Sequence, residues 1–259
     1  YVNEVPERAK KLIKHFWPGP LTIILFVKEG TLPDAVTGGL PTAAFRCPDD
    51  EMTHDLISEL EKPIVGPSAN TSTKPSPTTA EHVYHDLKGK IAGIIDNGPT
   101  EIGLESTIVD LSVETPTVLR PGEITPEEIS KVLGEEVLMN KGTTQTKGVP
   151  KAPGMKYRHY APSAPVFIVD KEADFSKIKW DKETGVAALD EVLDKIDSSN
   201  KYSLGKTIDK AAHNLFGALR YFDSENNIKR IYVQGFDHGA ISPAYMNRLN
   251  KAAAGHHFH

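Results

Sequence analysis

The chain has 259 residues, 39% of them hydrophobic and 25% charged, with a formal net charge of −5. That is apolar material for two cores, and the wrong sign for a protein that coats nucleic acid nonspecifically. No window approaches the roughly 18 uncharged apolar residues of a membrane span, and the lone cysteine, Cys47, allows no internal disulfide and suits a reducing, cytoplasmic compartment.

Pro6–Phe16 reads as a helix, with proline in its first turn and Ala9, Leu12, Ile13 and Phe16 on one face. It has almost nothing upstream to emerge from, so the chain is expected to be a fragment or to carry trimmed numbering. Pro18-Gly19-Pro20 must turn, because neither proline continues a helix or pairs centrally in a sheet. Leu21–Val27 is then a buried strand, and Thr42–Arg46 a short one ending at a charge. Asp49 and Asp50 cap a helix over Met52–Leu60, and Ile64-Val65 opens another short strand.

Gly66–Thr79, GPSANTSTKPSPTT, is a loop of Gly, Pro, Ser, Thr and Asn. Thr78 and Glu81 have the spacing of a capping box for a helix over Ala80–Leu87. The loop therefore brings hydroxyls, amides and backbone N–H groups to a helix start, where an anion can bind; an ordinary polar surface loop has the same composition. It lacks the Walker pattern, and no GxGxxG occurs in the chain. Ile91–Asp96, Thr107–Leu111 and Thr117–Arg120 read as strands. Thr125-Pro126-Glu127-Glu128 is a capping box that opens a helix running to Leu133 and stopping at Gly134.

Between Lys141 and Arg158 the chain carries five cations, Lys141, Lys147, Lys151, Lys156 and Arg158, and no carboxylate lies between Glu136 and Asp170. Tyr157, His159 and Tyr160 are interleaved with them in APGMKYRHYAP. Such a stretch is either a solvated basic linker or a surface built to touch an anion such as phosphate. Beyond it, strands at Val166–Val169, Gly185–Leu189 and Ile231–Val233 alternate with a helix over Thr207–Phe222 and another from Ser242-Pro243. That alternation predicts a small parallel α/β domain after a first half of mixed α/β character.

Arg46 and Arg120 each close a short strand, beside loops, where ligands of α/β sheets collect. Ser68, Asn70 and Ser76 are candidates for phosphate or ribose contacts, and Ser106 for a carboxylate; a hydroxyl satisfying local backbone is the competing reading of Ser106. Glu101 and Glu105 are either an acid/base pair or solvated loop residues. No nucleophile elbow occurs, Cys47 lies in no nucleophile pattern, and the histidines are not spaced for metal; His256, His257 and His259 read as a frayed tail. Anion holders without a proton shuttle point to positioning and charge stabilisation, as in nucleotidyl or phosphoryl transfer.

The ordered set FWPGPLT (Phe16–Thr22), TAAFR, GPSAN, ESTIVD (Glu105–Asp110), LRPG (Leu119–Gly122) and KYRHYAP resembles the YrdC-like family. More narrowly it is similar to the long, Sua-type threonylcarbamoyl-AMP synthases, whose accessory domain is matched by YSLG, NLFGALR and MNRL. The resemblance implies a YrdC-like twisted mixed sheet with helices over residues 1–140, a lid-like linker over 141–164, and a small Rossmann-like parallel α/β domain over 165–259. It implies synthesis of threonylcarbamoyl-adenylate from L-threonine, bicarbonate and ATP, with release of pyrophosphate, for t6A modification of tRNA by a downstream transferase. Carried over, Thr42, Ser68, Asn70, Ser76 and Arg120 would contact ATP, joined by Tyr157, Arg158 and His159 of the lid (Tyr160 is a further possible lid contact). Arg46 and Ser106 would hold threonine.

Position 66 is glycine where many relatives have serine, so only its backbone can contribute. Mg²⁺ is implied with ATP, riding on the phosphates without a protein ligand. A basic motif that relatives carry near their first strands has no equivalent here, as though the front of the catalytic domain were missing. The alternatives are a non-catalytic tRNA-binding module of the same fold, disfavoured by the charge, and a hydrogenase-maturation carbamoyltransferase, disfavoured by the lack of CxxC motifs.

Overall fold

The computed structural model describes residues 1–140, 160–225 and 227–259. In chain order its first elements are α1 (Glu7–Phe16), β1 (Leu21–Phe26), α2 (Asp34–Thr37), β2 (Thr42–Arg46), α3 (Glu51–Leu60), α4 (Ala80–Leu87), β3 (Thr107–Asp110), β4 (Thr117–Arg120), α5 (Pro126–Leu133) and β5 (Leu138–Met139). Then follow β6 (Val166–Val169), a 3-10 helix (Glu172–Lys177), β7 (Thr184–Ala188), α6 (Asp190–Leu193), β8 (Lys201–Ser203), α7 (Ile208–Ser224), β9 (Arg230–Gln234), α8 (Ser242–Ala252) and β10 (His257–Phe258). Two compact units result: Tyr1–Pro67 with the described residues from Glu105 to 140, and Ser68–Leu104 with the described residues from 160 onward. Among the described residues no helix is long and apolar enough to cross a membrane.

The first unit is built on a mixed five-stranded sheet, ordered β2-β1-β3-β4-β5. Within it, β1 runs antiparallel to the edge strand β2 and parallel to the central strand β3. Because strand side chains alternate, Leu21, Ile23 and Leu25 turn to one face, where they pack with Val109 and Val118 against Ala9 and Leu12 of α1 and Ile129 and Leu133 of α5. Each fully buried aliphatic side chain contributes about 1.5–3 kcal/mol. Ile24 and Ile108 point the other way and form a separate small cluster with Leu119.

Local chemistry sets the ends of these elements as expected. Asp50 caps α3 by accepting from the Thr53 N–H at 2.7 Å. Thr125 and Glu128 form the reciprocal capping box of α5, which ends at Gly134 with φ 75°. The Pro18-Gly19-Pro20 turn holds the Gly19 N–H on the Cys47 carbonyl at 2.8 Å. A Cβ at position 19 would lie 2.4 Å from the Phe16 carbonyl oxygen, so glycine is required there.

The second unit carries an all-parallel five-stranded sheet, ordered β10-β6-β9-β7-β8. The amphipathic face of α7 (Ala211, Ala212, Leu215, Phe216 and Leu219) is buried on it, as the 3.6-residue periodicity predicts. Gly185 in β7 leaves room for the Phe222 ring, which would lie 2.7 Å from a Cβ there. Parallel strands need crossover segments, and Asp190–Leu193 and Ile208–Ser224 supply two of them.

Several expectations are corrected. Ile64-Val65 and Ile91–Asp96 are not strands; Val65 and Ile95 are 69% and 60% exposed. A strand is defined by its ladder, and among the described residues no neighbour offers one to either segment. The cap of α4 is Thr79, which accepts from the His82 N–H; Thr78 instead directs its own N–H to His82 Nδ1 at 3.2 Å. The histidine tail is not frayed: His257–Phe258 pairs in parallel with β6, and the His257 ring lies 2.7 Å from Asp170 and 3.2 Å from Asn250.

Candidate functional site

In the first unit, ladder register decides which polar residues share a face. Thr22 pairs across from Arg46, Phe26 from Thr42, and Ile108 from Arg120. Thr22 also stands opposite Ile108 on the parallel side. Thr42, Arg46, Thr22 and Arg120 therefore lie on the sheet face opposite α1 and α5, and Ser106, two residues before Ile108, joins them. A register shift between Ile108 and Val109 lets Leu119 and Arg120 both serve this face.

Three of these groups are bonded to one another below the surface. The Arg120 guanidinium donates to the Ser106 carbonyl from Nε at 3.1 Å and from Nη2 at 2.9 Å, and reaches the Ser106 hydroxyl at 3.2 Å. That hydroxyl also sits 2.7 Å from the Thr22 hydroxyl. Thr22, Ser106 and Arg120 are all buried, so their geometry is held by packing as well as by hydrogen bonds. The turn after Arg120 presses on the same strand: a Cβ on Gly122 would lie 2.4 Å from the Thr107 nitrogen, and the Thr107 hydroxyl donates to the Ile124 carbonyl at 2.6 Å. This is the physical content of the LRPG motif.

Arg46 differs from Arg120. It is exposed, and among the described residues it makes no ion pair. Its Nη2 lies 3.8 Å from where a Cβ on Gly66 would be, so a serine at position 66 would meet the guanidinium. Thr42, at the other end of β2, is buried; four residue steps of extended strand put the two about 13 Å apart.

The second unit holds the Ser68–Thr79 loop. Ser68 and Asn70 hydrogen-bond to each other through their side chains. Asn70 Nδ2 donates onward to the Thr71 and Lys74 carbonyls at 2.9 and 3.1 Å. Thr73 takes a positive φ of 75°, and its carbonyl accepts from the Ala161 N–H at 2.9 Å. Ser76 is buried.

Beneath the loop, Arg220 of α7 meets both oxygens of Asp86, at 2.9 and 3.3 Å, and both side chains are under 10% exposed. Lys74 meets Asp223 at 2.8 Å. Burial pushes the Asp86 carboxyl up, but hydrogen bonds from Arg220, His85 and the Thr71 N–H outweigh it and hold it well below the usual carboxylate range. Burial and the Arg220 charge both push His82 down, which favours the neutral ring whose Nδ1 accepts from the Thr78 N–H.

The candidates thus fall into two groups: Thr42, Arg46, Ser106 and Arg120 on one sheet face, and Ser68, Asn70 and Ser76 on one loop. Tyr157, Arg158 and His159 lie outside the described residues. Tyr160 is 2% exposed, its ring centroid 5.0 Å from that of Phe216 in the core of the second unit. Sequence reasoning passed over Thr22, Asp86, Lys74 and Arg220. Thr22 and Arg220 stand inside the quoted motifs PGPLT and NLFGALR, but only pairing shows which side chains they serve. Among the described residues no group of three or more His, Cys, Asp or Glu gathers to hold a metal ion. A carboxylate cage for magnesium does not fit the described residues.

Comparison with known proteins identifies the family. Residues 1–122 match the Sua5/YciO/YrdC family, described as "Telomere recombination", and residues 124–254 match "Threonylcarbamoyl-AMP synthase, C-terminal domain". The threonylcarbamoyl-AMP synthase of Pyrococcus abyssi is 44% identical, over 97% of this chain and 75% of its own. That of Bacillus subtilis is 43% identical over 96% and 74%, and that of Schizosaccharomyces pombe 37% over 96% and 67%. The crystal structure of P. abyssi Sua5 complexed with L-threonine superposes with a TM-score of 0.87 at 42% identity, covering 100% of this chain and 78% of that one.

Proposed function

This chain belongs to the Sua5-type threonylcarbamoyl-AMP synthase family, and from that premise we propose that it is a nucleotidyltransferase making threonylcarbamoyl-AMP from L-threonine, bicarbonate and ATP. In this reading the threonine amine takes up bicarbonate with loss of water. An oxygen of the resulting carbamate then attacks the α-phosphorus of ATP. The bond from that phosphorus to the bridging oxygen breaks, and pyrophosphate leaves with its electron pair. The adenylate would then feed a downstream transferase that modifies tRNA, in the cytoplasm.

The observation that carries the reading is the polar sheet face, where Arg46 has no carboxylate partner among the described residues while Arg120 is bound rigidly to Ser106. A guanidinium without a partner suits a bidentate carboxylate, so Arg46 would take the threonine carboxylate, with Ser106 alongside. Arg120, fixed in advance by two bonds to one carbonyl, would supply positive charge to the nucleotide without reorganising as charge moves on phosphorus. Thr42 and the loop residues Ser68, Asn70 and Ser76 would complete the ATP contacts. Tyr157, Arg158 and His159 would close over it and exclude water from the mixed anhydride. Magnesium, arriving with ATP, would neutralise phosphate charge.

The division into residues 1–140, 141–164 and 165–259 as catalytic part, lid and accessory part belongs to the same proposal. The test is pyrophosphate release that requires both threonine and bicarbonate, with the adenylate identified by mass. Pyrophosphate release indifferent to threonine would reject it.

A further inference from the structure

The Ser68–Thr79 loop has no helix or strand to satisfy its backbone. Pro75 and Pro77 offer no N–H, and Pro75 and Ser76 are both buried, so their carbonyls need donors from elsewhere. Arg220 supplies them: Nη2 donates to the Pro75 carbonyl at 2.7 Å and Nε to the Ser76 carbonyl at 3.2 Å. The same guanidinium is held two-pronged by Asp86, whose Oδ2 accepts the Thr71 N–H at 3.1 Å. One arginine thereby ties the loop at residue 71 and at residues 75–76. Three residues further on the same helix face, Asp223 takes Lys74 at 2.8 Å, between those two ties.

We propose that Arg220 is a positioning residue that sets the conformation of the Ser68–Thr79 loop for nucleotide binding, and that α7 acts on the reaction through this contact. The proposal rests on reading Ser68 and Ser76 as ATP contacts. Only a planar fork with several N–H donors can serve two successive carbonyls and a carboxylate at once; an ammonium is a point charge on a flexible stem. Without Arg220, the buried Pro75 and Ser76 carbonyls lose the hydrogen bonds it gives them and Asp86 loses its counter-charge, keeping only His85 and the Thr71 N–H. The cheapest relief is for the loop to open to water.

The experiment compares the full chain with Arg220→Met and Arg220→Lys by hydrogen exchange read by mass spectrometry without substrates, and by kinetics with them. Exchange at the Thr71 and Lys74 amides is expected to rise tenfold or more, with β6 and β9 unchanged. The KM for ATP is expected to rise tenfold or more while the KM for threonine moves less than twofold. Arg220→Lys decides the matter if Arg220→Met fails to fold, since it keeps a charge opposite Asp86.

Loop exchange within twofold of wild type overturns the proposal. So does faster exchange with an unchanged KM for ATP, or an equal loss toward both substrates, which would mark a merely structural ion pair. Should the wild-type chain release no pyrophosphate on adding threonine, the functional reading fails on its own. Loop exchange, with ATP affinity by calorimetry in place of KM, then decides the role of Arg220.

Discussion

Gly103→Ala isolates the cost of a close approach between Gly103 and α7. Gly103 has φ +78°, and a Cβ there would lie 2.3 Å from the His213 carbonyl oxygen and 2.6 Å from its Cα. Both atoms belong to the backbone of α7, which cannot move aside as a side-chain tip would. Gly89 in the same unit has φ +76° and nothing within 4 Å of its would-be Cβ, so it is a matched control. Left-handed backbone alone costs a residue with a Cβ about 1–2 kcal/mol. Forcing a methyl group into a packed contact adds about 1–3 kcal/mol. Gly89→Ala should therefore lose about 1–2 kcal/mol and Gly103→Ala about 2–5 kcal/mol.

The assay is urea unfolding. The chain has two tryptophans, Trp17 in the first unit and Trp180 in the second. A Trp17→Phe background leaves Trp180, which packs against Phe175 and Tyr232, to report on the unit that contains both glycines. Losses for the two variants within about 0.5 kcal/mol of each other, the usual precision for comparing independent sites, would refute the claim that Gly103 is required by contact with α7.

Asp86→Asn should lower the stability of the second unit by about 3–5 kcal/mol at neutral pH, because Arg220 is left buried without its counter-charge. The sign with pH follows from a carboxyl depressed below its ordinary value near 3.8: the stabilisation is fully present above that value and fades as pH falls through the folded value, so acid titration followed by Trp180 should show a component that the variant lacks. Thr125→Ala removes one half of the α5 capping box and should cost about 1 kcal/mol in the first unit, read by Trp17 fluorescence. Arg120→Lys cannot make the paired donation to the Ser106 carbonyl, and threonine-dependent pyrophosphate release should fall ~10–100-fold, the equivalent of one charge-assisted hydrogen bond of about 1.5–3 kcal/mol. Arg46→Ala should raise the KM for threonine ten-fold or more with little change in that for ATP; equal effects on both substrates would remove Arg46 from the carboxylate role.

Periodicity, caps and turn residues in one dimension were sufficient for α1, β1, β2, α5 and α7, because each is specified by side chains within a few positions of one another. Thr125 meets Glu128 and the face of α7 repeats every three or four residues whatever the rest of the chain does. The motif order carried the family resemblance for the same reason, since TAAFR and LRPG are local strings. Ile64-Val65 and Ile91–Asp96 show the limit: their composition suits strands, but a strand exists only where a second backbone completes its hydrogen bonds, and that partner is not encoded within the segment.

Pairings of distant residues came only from the folded chain. Thr22 and Ser106 are 84 positions apart, and Arg220 and Asp86 are 134 apart. No spacing rule relates such residues, because it is ladder register and helix packing that bring them within hydrogen-bond reach. Short-range chemistry was therefore enough to name the polar groups, whereas three-dimensional packing selected the ones that hold each other in place.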